Sequence, residues 1–486
     1  MPAWEPVIGL EVHVHLKTRS KIFCRCENRF GAPPNTLVCP VCLGYPGTLP
    51  VLNTHAVDLA ITVALALQCE IPEASVFARK NYFYADLPKG YQISQFDQPL
   101  ALGGALPLVE HDRPIRVHRL HLEEDAGKLL HEWPGGGHLD DVSLVDFNRC
   151  GVPLVEIVSE PDIRSSAEAE DYLRSLHQVL VFTGASDGNM EEGSLRCDAN
   201  ISLKRPNDAL LGTKVEVKNL NSFRNVARAV EHEIARQTAR LEQGLPVAHE
   251  TRGFDAEAGR TRPLRGKEAA HDYRYFPEPD LPVLHLSRER LAALRSALPE
   301  MPWTRRERLA RELGLSSAEA RDLVAVRELA DYFEAVVEAA PALPLAAANW
   351  VRNDLARELH ERQEKLAQAI APARLAEVLI LVESGELSSS SAREVLRAIW
   401  TTDESAAAAT DRLGLVQVRD ETQLTSWVNE VLRASPGEIA QYRAGKTQVL
   451  GYLVGQVMKR SAGRADPRRV QELIGEELFE GSTPAN

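Results

Sequence analysis

The chain of 486 residues is 44% hydrophobic and 26% charged, with a formal net charge of -13. Its length exceeds one ordinary hydrophobic core and predicts two or three domains, and its composition excludes a disordered or collagen-like chain. The acidic balance excludes indiscriminate binding to phosphate backbones, which needs a concentration of Lys and Arg, so any contact with RNA has to be local.

The chain opens on Met1-Pro-Ala-Trp-Glu-Pro, with no basic stretch followed by an apolar one. The most apolar segment, Ala56 to Cys69, contains Asp58 and is too short to span a bilayer. A soluble cytoplasmic protein is expected. From Trp4 to about Pro282, short runs of alternating polarity predict mainly strands and loops. In the first run, Val7 to Leu16, Glu11 and His13 share a face, and His15 joins them there. Two helical patterns interrupt this half. They are Ala56 to Leu67 and Ala167 to Phe182, where Tyr172, Leu173, Leu176, Val179 and Leu180 form one apolar face.

Four of the seven cysteines are crowded into one short stretch. Cys24-x-Cys26 and Cys39-Pro-Val-Cys42 flank a loop containing Gly31, Pro33 and Pro34. Two short-spaced pairs joined by a turn suit tetrahedral Zn2+, and a site closed by four thiolates holds a loop rather than doing chemistry. Four buried thiols are the alternative. The isolated Cys69, Cys150 and Cys197 are expected to be small buried hydrophobes.

Further along, Arg79 to Asp97 mixes cations, aromatics and amides, which suits a ligand bearing phosphates or a base but equally suits a decorated hairpin. Leu120 to Lys128 and Met190 to Asn200 place acidic residues beside glycines, and Pro153 to Val158 sets Glu156 inside an apolar strand. A carboxylate so placed is costly unless it is paired, metal-bound or turned to water. The spacing leaves a magnesium site and ordinary salt bridges both open.

From about Arg288 the texture turns to Ala, Leu, Glu and Arg and predicts helices, with Ser316-x-x-Glu319 and Ser391-x-x-Glu394 of capping-box form. Thr401 to Thr410 lacks an apolar face and separates two helical modules. Ala440 to Thr447 approaches a nucleotide P-loop but lacks the first glycine and a preceding strand, so it is excluded. No Gly-Ser-Ser-Gly amidase segment is present, and the glycines at 135 to 137 have no serine or lysine beside them. Glutamine is not hydrolysed on this chain.

The segment Val145-Asp-Phe-Asn-Arg-Cys-Gly-Val-Pro-Leu-Val-Glu-Ile-Val-Ser-Glu-Pro161 resembles the signature of the GatB family. Val7 to Val14, Lys80 to Tyr84, Tyr91 to Asp97, His121 to Lys128, Glu191 to Asn200, Lys218 to Phe223, Asp272 to Asp280 and Asn349 to Leu355 resemble further family blocks in family order. The resemblance implies an α+β chain. A mainly antiparallel, cradle-like catalytic domain (1–290) is followed by a helical domain (291–404) and a small helical tail of YqeY type (405–486). It implies a subunit of a glutamine-dependent ligase in translation that uses ATP to phosphorylate the carboxylate of misacylated Asp-tRNA(Asn) or Glu-tRNA(Gln), which ammonia then converts to the amide. The implied partners are an amidase A subunit, a small C subunit, the misacylated tRNA and the cognate aminoacyl-tRNA synthetase. The implied ligands of Mg2+ are His13, Glu124 and Glu156, with Lys80 assisting phosphoryl transfer and Glu11 in the same polar site. The tail is implied to contact tRNA, and between Lys446 and Val470 it carries Lys446, Lys459, Arg460, Arg464, Arg468 and Arg469 against the single acid Asp466. A zinc-bearing tRNA-binding scaffold without catalysis is the rival reading. A metal-dependent hydrolase built on His13, Glu124 and Glu156 leaves the tail without a purpose.

Overall fold

The structure is a computed structural model that describes residues 4–480 except 112, 132–136, 138–141, 267–272, 419 and 462. Of the features above, residues 1–3, Gly135, Gly136, Asp272 and the last six residues of the tail lie outside the described residues. The chain divides into two compact units, Met1–Arg305 and Arg306–Asn486.

The first unit is organised by one nine-stranded sheet. Its spatial order is Arg260–Gly266, Glu250–Asp255, Val215–Leu220, Leu195–Lys204, Glu5–His15, Pro153–Ser159, Pro114–Glu124 and Ala101–Leu102, and Ala105–Pro107 also pairs with Pro114–Glu124. All pairings are antiparallel except that of Val215–Leu220 with Glu250–Asp255. The strand Glu5–His15 shows why the sheet is one-sided. Ile8, Leu10, Val12 and Val14 are fully buried, while Glu11, His13 and His15 alternate with them on the opposite face. Each such buried side chain contributes about 1.5–3 kcal/mol, and a slip of one residue would exchange the two faces. The apolar face packs on the helices Thr54–Ala66, Ser166–Phe182 and Phe223–Glu242, whose Val57, Ile61, Tyr172, Leu176, Val226 and Val230 complete the core.

The first two helices lie where periodicity puts them, capped by Asn53 and Ser165. The third is an addition to the expected elements. Its apolar residues Phe223, Val226, Val230, Ile234 and Leu241 recur at helical spacing, and its buried stripe also holds Glu233 and Gln237. Glu233 is satisfied by Arg236, Gln237 and Thr261, which explains how a carboxylate survives there. The helix Arg288–Ser296 straddles residue 290 and packs on Thr54–Ala66, with Arg290 donating to Asp58 at 2.7 Å.

The described part of the second unit is helical. Ser316 and Glu319 form a reciprocal capping box. The second box expected from sequence does not form. Ser388 caps the helix Ser389–Ile399 by accepting from the Ser391 amide, which leaves Ser391 inside the first turn. The segment 401–405 precedes the short helix Ala406–Leu413, and Leu424, Val428, Leu453, Val457, Val470 and Ile474 form a core of their own among the last helices. Among the described residues, no helix is long and apolar enough to cross a membrane.

Candidate active site

The polar face of the sheet gathers its charges by strand register. His13 stands opposite Glu156 on one neighbour and Arg196 on the other, and Glu156 in turn stands opposite His121. Residues paired across antiparallel strands point to the same face, so Arg196, His13, Glu156 and His121 form one row. Glu123, two residues beyond His121, lies on that face as well.

The row converges on two carboxylates. His13 Nε2 lies 3.3 Å from Glu156 Oε2 and 3.8 Å from Glu123 Oε1. His121 Nε2 lies 3.2 Å from Glu156 Oε2 and 3.8 Å from Glu123 Oε2. Burial pulls the His13 imidazole down, but Glu156 and Glu123 outweigh it and push it up to about 9. The same contest raises His121, whereas burial pushes Glu156 up and the two histidines hold it well below the usual carboxylate range. One donor atom each from His13, Glu123 and Glu156 lie within 4.8 Å of one another, a set of two hard oxygens and one imidazole that fits a divalent cation.

Glu124, implied as a ligand by the family blocks, is placed elsewhere. Adjacent strand residues face opposite ways, and its carboxylate pairs with buried Lys89 and accepts from the Ile93 amide at 2.9 Å. The structure brings Glu123, not Glu124, beside His13 and Glu156. Lys80 is close by, with its ammonium 5.1 Å from the centroid of the Tyr273 ring. Burial pulls Lys80 down, and Glu123 and Glu156 more than restore it. Glu11 sits further along the same face, accepting from Asn200 Nδ2 at 2.8 Å, and burial together with Glu156 raises its carboxyl.

Sequence reasoning missed several members of this face. Asp125 is buried, and its Oδ2 lies 2.6 Å from His15 Nε2, 2.5 Å from Arg196 Nη2 and 3.3 Å from Arg149 Nε. Asp198 accepts from Lys218 at 2.5 Å. Beside them opens a cavity of about 800 Å3 lined by Lys17, Lys128, Arg149, Arg196, Asp198 and Lys218 among others. The signal that could have found these residues was parity along each strand, combined with a register that only pairing supplies.

The four cysteines also converge. Cys24, Cys26, Cys39 and Cys42 offer sulfurs that all lie within 4.8 Å of one another, a soft donor set that fits Zn2+. The fully buried Lys21 directs its ammonium to Cys42 Sγ at 3.6 Å. Gly151 of the signature segment passes close by with φ +78°, where a Cβ would meet Cys42 Cβ at 3.4 Å. Cys69, Cys150 and Cys197 are buried, and burial pushes the Cys69 and Cys150 thiols up to about 12.

The tail cations do not form one open patch. Arg460 pairs with Glu430, and Arg469 is surrounded by Glu421, Glu472 and Glu476. Arg464 Nε donates to the Ser461 carbonyl at 3.1 Å. Lys446, Lys459 and Arg468 have no acidic side-chain partner among the described residues.

Comparison with known proteins defines the class. The family model for the GatB/GatE catalytic domain matches residues 6–292, and the model for the GatB domain matches residues 331–478. The chain is 50% identical over 480 residues to the B subunit of the aspartyl/glutamyl-tRNA(Asn/Gln) amidotransferase of Geobacter sulfurreducens, covering 98% of this chain and 99% of that one. It is 47% identical over 478 residues to the protein of the same name from Persephonella marina, covering 98% and 99%. For Thermosynechococcus vestitus the figures are 48% over 487 residues, covering 99% and 97%. The chain belongs to the GatB family.

Proposed function

We propose that this chain is the ligase subunit of a glutamine-dependent tRNA amidotransferase. It uses ATP to activate the side-chain carboxylate of misacylated Asp-tRNA(Asn), Glu-tRNA(Gln) or both, and that carboxylate becomes an amide. The observation that carries the proposal is the convergence of His13, Glu123, Glu156 and Lys80 on one sheet face, in a chain similar over almost its whole length to subunits of that name. A free carboxylate resists ammonia, because its charge repels a nucleophile and its leaving group would be oxide. Phosphorylation supplies a phosphate leaving group, and the nucleophile is ammonia released from glutamine by a partner A subunit. A small C subunit completes the assembly, the cognate aminoacyl-tRNA synthetase is a further partner, and the setting is the cytoplasm.

His13, Glu123 and Glu156 would hold Mg2+, which when bound offsets the charge of the triphosphate during phosphoryl transfer. Lys80 stands where a fixed cation orients the transferring phosphoryl group. The tight pairing of Asp125 with His15, Arg196 and Arg149 keeps that edge of the face rigid, which favours positioning over adaptation. Cys24, Cys26, Cys39 and Cys42 would hold structural Zn2+. A three-part organisation, with a catalytic domain (1–290), a helical domain (291–404) and a tail (405–486) that contacts tRNA, is supported by the separate apolar core of the last helices.

The deciding experiment measures ATP consumption by the reconstituted complex with misacylated and with correctly acylated tRNA. Consumption that requires misacylated tRNA supports a catalytic subunit. Its absence, with tRNA still bound, would leave only the scaffold reading.

A further inference from the structure

Lys21 is fully buried, and among the described residues no carboxylate pairs with it. Its ammonium donates instead to Cys42 Sγ at 3.6 Å, a sulfur that also accepts from the Cys39 amide at 3.2 Å. The backbone fixes this approach. The Lys21 amide donates to the Cys26 carbonyl at 3.0 Å and the Ile22 amide to the Gly151 carbonyl at 2.9 Å, so the lysine is tied both to the cysteine loop and to the signature segment. Gly151 lies against the stem, where a Cβ would come within 3.6 Å of Lys21 Cδ. Glu124, which lines a cavity together with Cys24, Cys42 and Gly151, is taken by Lys89. A fully buried ammonium is costly unless an anion faces it. Four thiolates around Zn2+ keep a net double negative charge, and that group stands where the ammonium points.

We propose that Lys21 is the counter-charge of the four-cysteine site, a positioning residue that halves the net charge of the zinc–thiolate group and so tightens its hold on the metal. This rests on the reading above in which Cys24, Cys26, Cys39 and Cys42 hold Zn2+. The two costs cancel each other. The dianionic group, packed beside the buried Cys150, would be penalised by the loss of water, and so would the lysine, but each supplies the charge the other lacks. The contact falls on one sulfur of the four, so it also withdraws electron density from Cys42 in particular.

The test compares wild type with Lys21→Met, which keeps the length and loses the charge, and with Lys21→Gln, which keeps a hydrogen-bond donor and loses the charge. Zinc affinity is measured on the reconstituted complex by competition with a chromogenic chelator, and the near-ultraviolet thiolate-to-metal absorption is recorded after replacement of zinc by Co2+. Both variants should hold zinc roughly 10–100-fold more weakly, the range that loss of a supporting group costs a metal site. Their Co2+ absorption should move to longer wavelength, because a thiolate without its neighbouring cation gives up electron density more easily. That shift reads the charge itself, and either variant suffices to observe it. An affinity loss with an unmoved band would make Lys21 a packing residue and overturn the counter-charge. Affinity kept in Lys21→Gln and lost in Lys21→Met would assign the effect to a hydrogen bond and overturn it as well. Equal affinity in all three proteins overturns the inference while leaving the zinc site standing, and no tightly held zinc in wild type overturns both.

Discussion

The sheet face of the first unit and the helical tail of the second both carry many charges but use them in opposite ways. On the sheet, His13, His121, Glu123 and Glu156 lie within a few ångströms of one another, Asp125 lies as close to His15 and Arg196, and all are largely removed from water. In the tail, Arg460 is 57% exposed and paired with a half-exposed acid, and Arg469 shares three surface glutamates. Buried charges survive only where their partners are fixed, so their geometry is informative one atom at a time. Exposed pairs contribute about 0–1 kcal/mol each, and what remains informative is the excess of unpaired charge.

The comparison is broken most directly at Glu123 and Glu156, the two carboxylates that face His13. Glu123→Gln and Glu156→Gln should remove divalent-cation binding and lower ATP-dependent amidation by at least about 100-fold, beyond the cost of losing a supporting residue. Glutamine hydrolysis by the partner subunit in the same complex should persist at least in part. Glu124→Gln should keep the cation, because its carboxylate faces Lys89 on the other side of the strand. Cation binding lost in Glu124→Gln and kept in Glu123→Gln would invert the assignment.

That contrast also shows what the sequence could convey. The alternation in Val7 to Leu16 is enough to put Glu11 and His13 on one face, and the spacing of the cysteines is enough to group Cys24, Cys26, Cys39 and Cys42. The choice between Glu123 and Glu124 needs the register of Pro114–Glu124 against Pro153–Ser159, which pairs His121 with Glu156 and is set by contacts distant in sequence. Helix Phe223–Glu242 was legible in the spacing of Phe223, Val226, Val230 and Ile234, though polar residues share its buried side. Its buried side holds Glu233 and Gln237, whose partners come partly from the strand that carries Thr261. The expected box at Ser391 failed because Ser388, three residues earlier, supplies the cap.

Asp125→Asn sharpens the comparison through stability. Burial pushes this carboxyl up, but Arg196, Arg149 and His15 outweigh it and hold it below the usual range. Removing one partner of such a buried network should cost about 3–5 kcal/mol in denaturant unfolding at neutral pH. A depressed carboxylate contributes in full above its unfolded value of about 3.9 and loses that contribution as pH falls from there through the folded value. The advantage of wild type over Asp125→Asn should therefore shrink below about pH 4, and a gap that stays constant with pH would show that lost packing, not charge, is measured.

The four-cysteine loop belongs with the convergent charges, since its sulfurs come from two short segments and all lie within 4.8 Å of one another. Elemental analysis of stripped and reloaded protein should give close to one tightly held zinc per chain, and a value below about half an equivalent removes the site. Cys42→Ser should lose zinc most readily, because Cys42 contacts both Cys39 and the buried Lys21.

The smallest effects are expected in the tail, and they test its different logic. If tRNA phosphates are met there, Lys446, Lys459 and Arg468 meet them, since Arg460 and Arg469 are already occupied by acids and Arg464 turns to a backbone carbonyl. Replacing the first three together by Ala should weaken tRNA binding and flatten its dependence on salt by about one unit of slope per phosphate-contacting cation. Replacing Arg460 and Arg469 should do less, because each gives up a local acid when it turns to RNA. Truncation near Asp403 should reproduce the triple substitution while leaving cation binding at His13 intact, since that site is built from residues of the first unit. The measurement is tRNA affinity of the full complex at two or more salt concentrations. Equal affinity and equal slope for wild type, triple variant and truncation would make the basic residues solvated surface and place the tRNA contact elsewhere on the complex.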